Sequence, residues 1–326
     1  MSKPARIPAF ARADALAPTV ARQVVKQRVQ AAVRCWERVA KRDKPRVDDI
    51  HQLRVWSRRA MAAVELFSPL VAPQAAAELL GILNKARKRA GNARDYDVLQ
   101  KKLDKQSRED LSHALEVLKT RRAHAADKLR KSYRKQVHSG KIQDLQRELP
   151  KAGSAGDNGH APLPVKFGPW FLQHFADATV DFATQLRPAK PSLRRIHPLR
   201  IEGKLIRYAL EIGLPSLPKQ QGKQLYASLE ELQEQLGEIC DHLAFAEQFR
   251  ELAADLKARQ RDRVLKEAAR HDRQAKAGFT KFGRWWRSAN GRKKLQQQFA
   301  ALLAKPAAAK LPRARTKAVS QRRKTQ

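Results

Sequence analysis

The strongest constraint on the fold is an internal repeat with a constant offset of 146 positions. The corresponding pairs are His51 and His197, Leu53 and Leu199, Arg54 and Arg200, Arg58 and Lys204, Glu65 and Glu211, Gly91 and Gly237, and Asp95 and Asp241. The offset holds without a gap, and random matching would not preserve it through so many polar identities. The chain is therefore predicted to contain a duplicated helical unit, packed as two related bundles about a pseudo-twofold axis.

The predicted fold class is all-α. Ala, Leu, Gln, Glu, Lys and Arg dominate the long segments, and convincing strand alternation is absent. We expect one helix from about Thr19 and a second capped by Asp48 or Asp49, ending near Ser68. A third is expected from Pro73 to about Gly91. Further helices are predicted as far as about position 138, and again from about 170 to 304.

Composition divides the chain into an N-terminal extension (1–18), a first helical half (19–148), a linker (149–169), a second helical half (170–304) and a tail (305–326). Proline and glycine are concentrated in the linker, which favours an irregular connection. The tail is rich in Ala, Pro, Lys and Arg, has no acidic residue, and is predicted to be disordered.

The charge balance predicts an anionic partner. Lys and Arg total 68 against 32 for Asp and Glu, a formal net charge of +36. Such self-repulsion favours nucleic acid, an anionic membrane surface or a phosphate polymer as partner. No apolar run is long enough to span a bilayer, so membrane insertion is not expected. The N-terminus lacks a secretory pattern and the two cysteines lack metal-ligand spacing, which favours a cytoplasmic setting.

The helix that follows Ile50 carries a cationic face. At about 100° per residue, His51, Arg54 and Arg58 share a narrow arc opposite an apolar stripe. The second copy repeats this with His197, Arg200 and Lys204, and Arg207 lies at the edge of the arc. One helical turn is about 5.4 Å, and successive phosphates of an extended chain lie at a comparable or shorter spacing, so the row of cations can meet several phosphates at once. Guanidinium groups bind phosphate oxygens bidentately. A solvated face is the alternative, but the repetition and the net charge favour binding.

Two motif pairs give the sequence a family resemblance. The segments His51-Gln-Leu-Arg-Val-Trp-Ser-Arg-Arg59 and Ala93-Arg-Asp-Tyr-Asp-Val-Leu99 resemble the first half of a CHAD domain, the conserved histidine α-helical domain. The segments beginning at His197 and Leu232 resemble its second half. The resemblance covers roughly residues 19–304, without an accompanying triphosphate-tunnel domain. It implies two four-helix bundles with a basic groove between them that binds inorganic polyphosphate, and association with polyphosphate granules.

The same resemblance implies a set of anion-binding residues. Carried over by position they are His51, Arg54, Arg58, Arg59, His197, Arg200, Lys204 and Arg207. Lys85 and Arg89, with Arg87 and Lys88, lie on the next helix and are expected to extend the groove. Met61 stands where the family often has a further arginine. For Asp95, an ion pair or a helix cap competes with ligand contact, and Asp241 is expected to be structural.

Two other functions compete with polyphosphate binding. Nucleic acid would suit the charge and the basic tail, but finger, helix-turn-helix and RNP patterns are absent. Base stacking by Phe282, Trp285 and Trp286 is less expected than core packing. An enzyme would require a phosphate-cradling loop or a carboxylate cluster, so neither catalysis nor a cofactor is expected. Arginines beside His51 and His197 argue against a metal there.

Overall fold

The computed structural model describes residues 6–103, 111–149 and 165–304, which form ten α-helices. They are α1 (Ala17–Ala40), α2 (Val47–Leu66), α3 (Pro73–Leu103), α4 (Ser112–Tyr133), α5 (Lys141–Glu148), α6 (Phe167–Gln185), α7 (Leu193–Gly213), α8 (Lys219–Ala253), α9 (Ala258–Arg287) and α10 (Arg292–Leu303). Within these ranges the only β-pairing is one isolated bridge between Leu16 and Lys166. The all-α prediction is confirmed.

Two of the predicted helix boundaries are wrong. Helix α2 begins at Val47, so Asp48 and Asp49 lie in its first turn and neither caps it. Asp49 instead accepts a hydrogen bond of 2.8 Å from Arg38 Nε. Helix α3 continues through Gly91 to Leu103. A single glycine costs a helix about 1 kcal/mol, which the strong helix formers around it offset.

The helices form two groups that meet at α2 and α7. In the first group α1 contacts α2, α2 contacts α3, α3 contacts α4, and α4 returns to α1. In the second, α6, α7, α8 and α10 pack in the same way, and α9 lies along α8. A main core of aliphatic and aromatic side chains runs through both groups. The duplication and its pseudo-twofold axis stay predictions.

A second, smaller core joins the far ends of the two long helical hairpins. Leu99 and Leu103 of α3 and Leu118 of α4 pack with Phe249 and Leu252 of α8. The two halves are therefore held together at two separated places, at the α2–α7 contact and at these hairpin ends.

The residues before α1 belong to the fold, although the sequence suggested an extension outside it. The amide of Phe167 donates to the carbonyl of Ala15, and that of Gly168 donates to Ala13. A Cβ on Gly168 would lie 2.9 Å from the Cβ of Ala13, so glycine is required for this approach. The N-terminal segment thereby ties the first half to the start of the second. Most of the predicted linker and the whole tail lie outside the described residues.

A buried ion-pair network connects the halves across α2 and α7. Glu211 of α7 is fully buried and accepts hydrogen bonds from Nε and Nη2 of Arg59 in α2, at 2.8 and 3.0 Å. Arg28 of α1, also buried, donates to the carbonyls of Arg59 and Tyr208 and lies 3.7 Å from Glu211. One carboxylate thus neutralises guanidinium groups from two helices of the other half.

Replacing Glu211 by Gln is expected to destabilise the protein by about 3–5 kcal/mol, because it leaves Arg28 and Arg59 buried without a counter-charge. Denaturant unfolding at neutral pH measures this loss. Glu65→Gln, at the corresponding exposed position of the first half, is the control and should cost less than about 1 kcal/mol. Equal effects of the two substitutions would contradict the assignment.

Candidate functional site

The predicted faces of α2 and α7 form as expected. Leu53, Trp56 and Ala60 of α2 are buried, as are Leu199 and Ile206 of α7. His51 and His197 are exposed, and Arg54, Arg58, Arg200 and Lys204 are partly exposed. The apolar stripe of each helix holds the core, which leaves the cationic stripe at the surface.

The two cationic stripes converge. The charge of Arg200 on α7 acts on Arg58 of α2, and the charges of Arg54 and Arg58 act on Lys204 of α7. Arg87 of α3 lies close enough to Arg54 for the charge of Arg54 to lower its pKa, after burial. We call these residues the central basic cluster, which comprises Arg54, Arg58, Arg87, Arg200 and Lys204, flanked by His51 and His197.

Two aspartates pair with arginines of the cluster in the same way. Arg54 Nη1 lies 3.4 Å from Asp95 Oδ1, and Arg200 Nη2 lies 2.9 Å from Asp241 Oδ1. Burial raises the pKa of Asp95, and the charge of Asp241 adds to this rise. The two ion pairs therefore lie near each other, one in each half. Asp95 thus has the ion pair that the sequence left open.

Charge repulsion within the cluster is visible in the pKa of Lys204. Burial, followed by the charges of Arg200 and Arg58, lowers this pKa to about 7. Burial and the neighbouring Arg54 likewise lower the pKa of Arg58 to about 10, so that it stays charged at neutral pH. Two carboxylates evidently do not neutralise this region, and an anion entering it would relieve the repulsion.

Burial and the neighbouring cations lower the pKa of both histidines. Burial lowers the pKa of His51, and the charges of Arg94 and Arg54 lower it further. Burial and then Arg200 lower the pKa of His197. A neutral imidazole has one N–H donor to offer an anion, and anion binding would favour a second.

One guanidinium donor in the cluster has no acceptor among the described residues. The Nε of Arg200 is buried and makes no hydrogen bond, although its Nη2 binds Asp241. The backbone of α8 at Gly237 lies against this guanidinium group, 3.8 Å from Nη2 to a Cβ built there. Buried donors are normally satisfied, so this one marks a place where a ligand oxygen would bind favourably.

Two predicted site residues lie in the buried network instead of the cluster. The side chain of Arg59 is 5% exposed and is committed to Glu211. Arg207 Nη1 donates to Tyr226 at 2.9 Å and to Glu230 at 3.3 Å, and its side chain is 14% exposed. Both arginines already have carboxylate partners, so we assign them a structural role in place of the predicted one. For Arg59 the sequence missed this because Glu211 lies on the other half.

Lys85 and Arg89 also lie away from the central basic cluster. They are about 160° around α3 from Arg87, the residue of this run that faces Arg54. Both line a separate cavity between α3 and α4. Arg87 is therefore the residue that extends the cluster. Helical projection could not have identified it, because Arg87 and Lys85 both lie about 80° around α3 from Asp95, on opposite sides.

A further basic cavity of 700 Å³ lies beside His51, on the side of α2 that faces α1. Arg34 and Arg38 of α1 line it, together with Arg6 and with Arg42 and Arg46 from the connection between α1 and α2. Asp49 pairs with Arg38 at 2.8 Å and lies 3.9 Å from Arg42. The sequence argument overlooked these arginines, although Arg34 and Arg38 are four residues apart and lie on one face of α1.

The aromatic side chains, the possible metal ligands and the long helices yield no further candidate. Phe282 and Trp286 are buried in the core, as predicted, and Trp285 is half-buried and donates to Glu231. Among the described residues no cluster of three or more His, Cys, Asp or Glu is arranged to hold a metal. None of the described helices is long and apolar enough to cross a membrane.

The described chain thus has an all-helical fold with a cationic cluster between two helices, each of which carries an exposed histidine. The CHAD-domain family model matches residues 23–250, and the chain belongs to this family. The CHAD domain from the plant Ricinus communis has a similar structure, with a TM-score of 0.59, 20% identity, and coverage of 92% of this chain and 97% of that chain. PptA from Streptomyces chartreusis has a TM-score of 0.53 and 13% identity, with coverage of 87% and 99%. No curated protein matches the sequence.

Replacing Lys204 by Met is expected to stabilise the protein at pH 6. The pKa of Lys204 is about 7 in the fold, against an ordinary value of 10.5. Below pH 7 both states are protonated and the fold carries the full repulsion, whereas between pH 7 and 10.5 this cost declines. The gain in unfolding free energy should therefore shrink as the pH rises towards 10.

Parallel denaturant titrations from pH 6 to pH 10 measure the effect. Lys223→Met, which removes an exposed lysine of α8, is the matched control and should show no comparable gain. A Lys204→Met variant that is no more stable than the wild type at pH 6 would contradict the proposed repulsion.

Proposed function

We propose that this protein binds inorganic polyphosphate at the central basic cluster. The observation that carries the proposal is the convergence of cations from both halves, where burial and then the charges of Arg200 and Arg58 lower the pKa of Lys204 to about 7. An anionic ligand is the simplest explanation for a fold that keeps these like charges close together. Membership of the CHAD-domain family supports the same ligand, through the resemblance described above.

The arrangement favours a linear polymer over a single phosphate. Arg54 and Arg58 are one turn apart on α2, as are Arg200 and Lys204 on α7, a spacing of about 5.4 Å. Several phosphates of one chain can therefore lie along this row of side chains, and many weak contacts combine into a high affinity for long chains. The buried Nε of Arg200 provides a donor that one phosphate oxygen would satisfy.

The proposed action is reversible binding without a chemical step. In this proposal the arginines position and neutralise the polymer, and no side chain attacks it. Association with polyphosphate granules in the cytoplasm would follow from such binding, because a granule presents many chains at once.

Replacing both Arg54 and Arg200 by Ala should weaken binding of long polyphosphate on the order of 100-fold, since each charged hydrogen bond contributes about 1.5–3 kcal/mol. The salt dependence of binding should become shallower, because fewer counterions are released. Titration of labelled polyphosphate over a range of salt concentrations measures both quantities.

Two further variants distinguish ligand contact from structural support. Asp95→Asn with Asp241→Asn breaks the same ion pairs but removes competing carboxylates, so it should tighten binding. Arg273→Ala with Arg284→Ala removes two exposed arginines of α9 and should change affinity little. The proposal fails if the Arg54 and Arg200 variant keeps full affinity while folded.

Nucleic acid is the competing ligand, because the net charge of +36 would attract any phosphate backbone. A competition between long polyphosphate and duplex DNA, at matched phosphate concentration and near-physiological salt, separates the two. We expect polyphosphate to displace DNA. Displacement of polyphosphate by DNA would instead favour the nucleic-acid function.

A further inference from the structure

A second basic cavity lies outside the central basic cluster. It has a volume of 640 Å³ and is enclosed by α3, α4, the turn after α4 and the start of α5. Six cationic side chains line it, namely Lys85, Arg89, Lys128, Lys131, Lys135 and Lys141. Four separate stretches of the chain contribute these groups, so the cavity is more than the solvated face of a single helix.

The carboxylates nearby neutralise only part of this charge. Glu78 lines the cavity and pairs with Lys141, and Asp127 lies 2.9 Å from Lys131. Within the described part of the chain, Lys85, Arg89, Lys128 and Lys135 make no ion pair with a carboxylate. The cavity therefore has an excess of positive charge.

The backbone around the cavity departs from a regular helix where it contributes cations. Residues Arg134–His138 form a π-helical turn at the end of α4. This turn carries Lys135 and Gln136 into the cavity wall, and the Oε1 of Gln136 is buried without a hydrogen bond. Gly140, at a φ of +81°, then redirects the chain so that α5 begins with Lys141. Single π-turns inside α-helices occur often at functional sites.

The lining of the cavity favours phosphate over nucleic acid. It contains hydroxyl and amide groups, from Ser132 and Gln136, but no aromatic ring on which a base could stack. Gly81 lies at the wall, and a Cβ added there would meet nothing within 4 Å, so the space beside it is open. Lysines are compact point charges that suit the oxygens of a phosphate from several directions.

We propose that this cavity is a second phosphate-binding site, which binds condensed phosphate independently of the central basic cluster. The inference rests on the proposed function for the chemistry of its ligand, but on different residues for its location. A long chain that engages both sites would be held by two attachments on one protein, which raises avidity without strengthening either site.

Calorimetric titration with tripolyphosphate, a probe too short to require both sites, tests the proposal. In a background of Arg54→Ala and Arg200→Ala, the full-length protein should still bind the probe. Adding Lys85→Ala, Lys128→Ala and Lys135→Ala should weaken that remaining binding about tenfold or more, because several charged contacts are lost. Lys266→Ala, Lys276→Ala and Lys281→Ala remove three exposed lysines of α9 and should leave it unchanged.

A second variant guards against effects of the lost lysines on folding. Gly81→Glu adds a carboxylate at the open wall without removing a cation, and replacing a helical glycine does not weaken the helix. It should reduce the remaining binding as strongly as the triple substitution.

The possible outcomes distinguish failure of the second site from failure of the central basic cluster. If neither cavity variant changes the remaining binding, the second site is refuted and the central cluster is unaffected. If the cavity variants abolish binding in the wild-type background while Arg54→Ala and Arg200→Ala have no effect, the central cluster is refuted and the cavity stands. If the wild-type protein binds no condensed phosphate, both proposals fall.

Discussion

The arrangement of the two halves depends on one buried carboxylate. Glu211 accepts two hydrogen bonds from Arg59, and Arg28 approaches it from α1. Guanidinium groups this deeply buried are tolerable only with a counter-charge, so α1, α2 and α7 have a single acceptable relative position. The same contact joins α2 and α7, the helices whose cationic stripes form the central basic cluster. A structural ion pair thereby supports a site in which it takes no part.

In the central basic cluster, by contrast, like charges face each other and are only partly neutralised. Arg59 is neutralised by Glu211 and stabilises the fold. At the adjacent residue Arg58, burial and the surrounding like charges lower the pKa. Repulsion of this kind weakens the empty protein, and it is a form of preorganisation, because the donors are already desolvated and aligned. Of two adjacent residues on α2, Arg59 therefore stabilises the fold and Arg58 belongs to the proposed binding cluster.

The sequence predicted the helical class and the convergence of two cationic stripes, because both follow from periodicity within a helix and from the repeat. It could not separate Arg58 from Arg59, or Arg200 from Arg207, since helical projection gives a direction but not the residue that faces it. Glu211 decides the role of Arg59 and lies 152 positions away. Among the four cations of α3 that were expected to extend the groove, the sequence could not single out Arg87, whose pKa is lowered by burial and then by the charge of Arg54. The role of each arginine depends on contacts between helices that are distant in sequence, and helical spacing alone does not reveal these contacts.

The lowered pKa of Lys204 has a consequence for how the site responds to its occupant. With a pKa of about 7, this amine is only partly protonated at neutral pH while the cluster is empty. An anion beside it raises that pKa, so the ligand and a proton are taken up together. In the proposed function, occupancy of the cluster would therefore depend on pH, and binding would weaken as the pH rises above the pKa of Lys204 in the empty site.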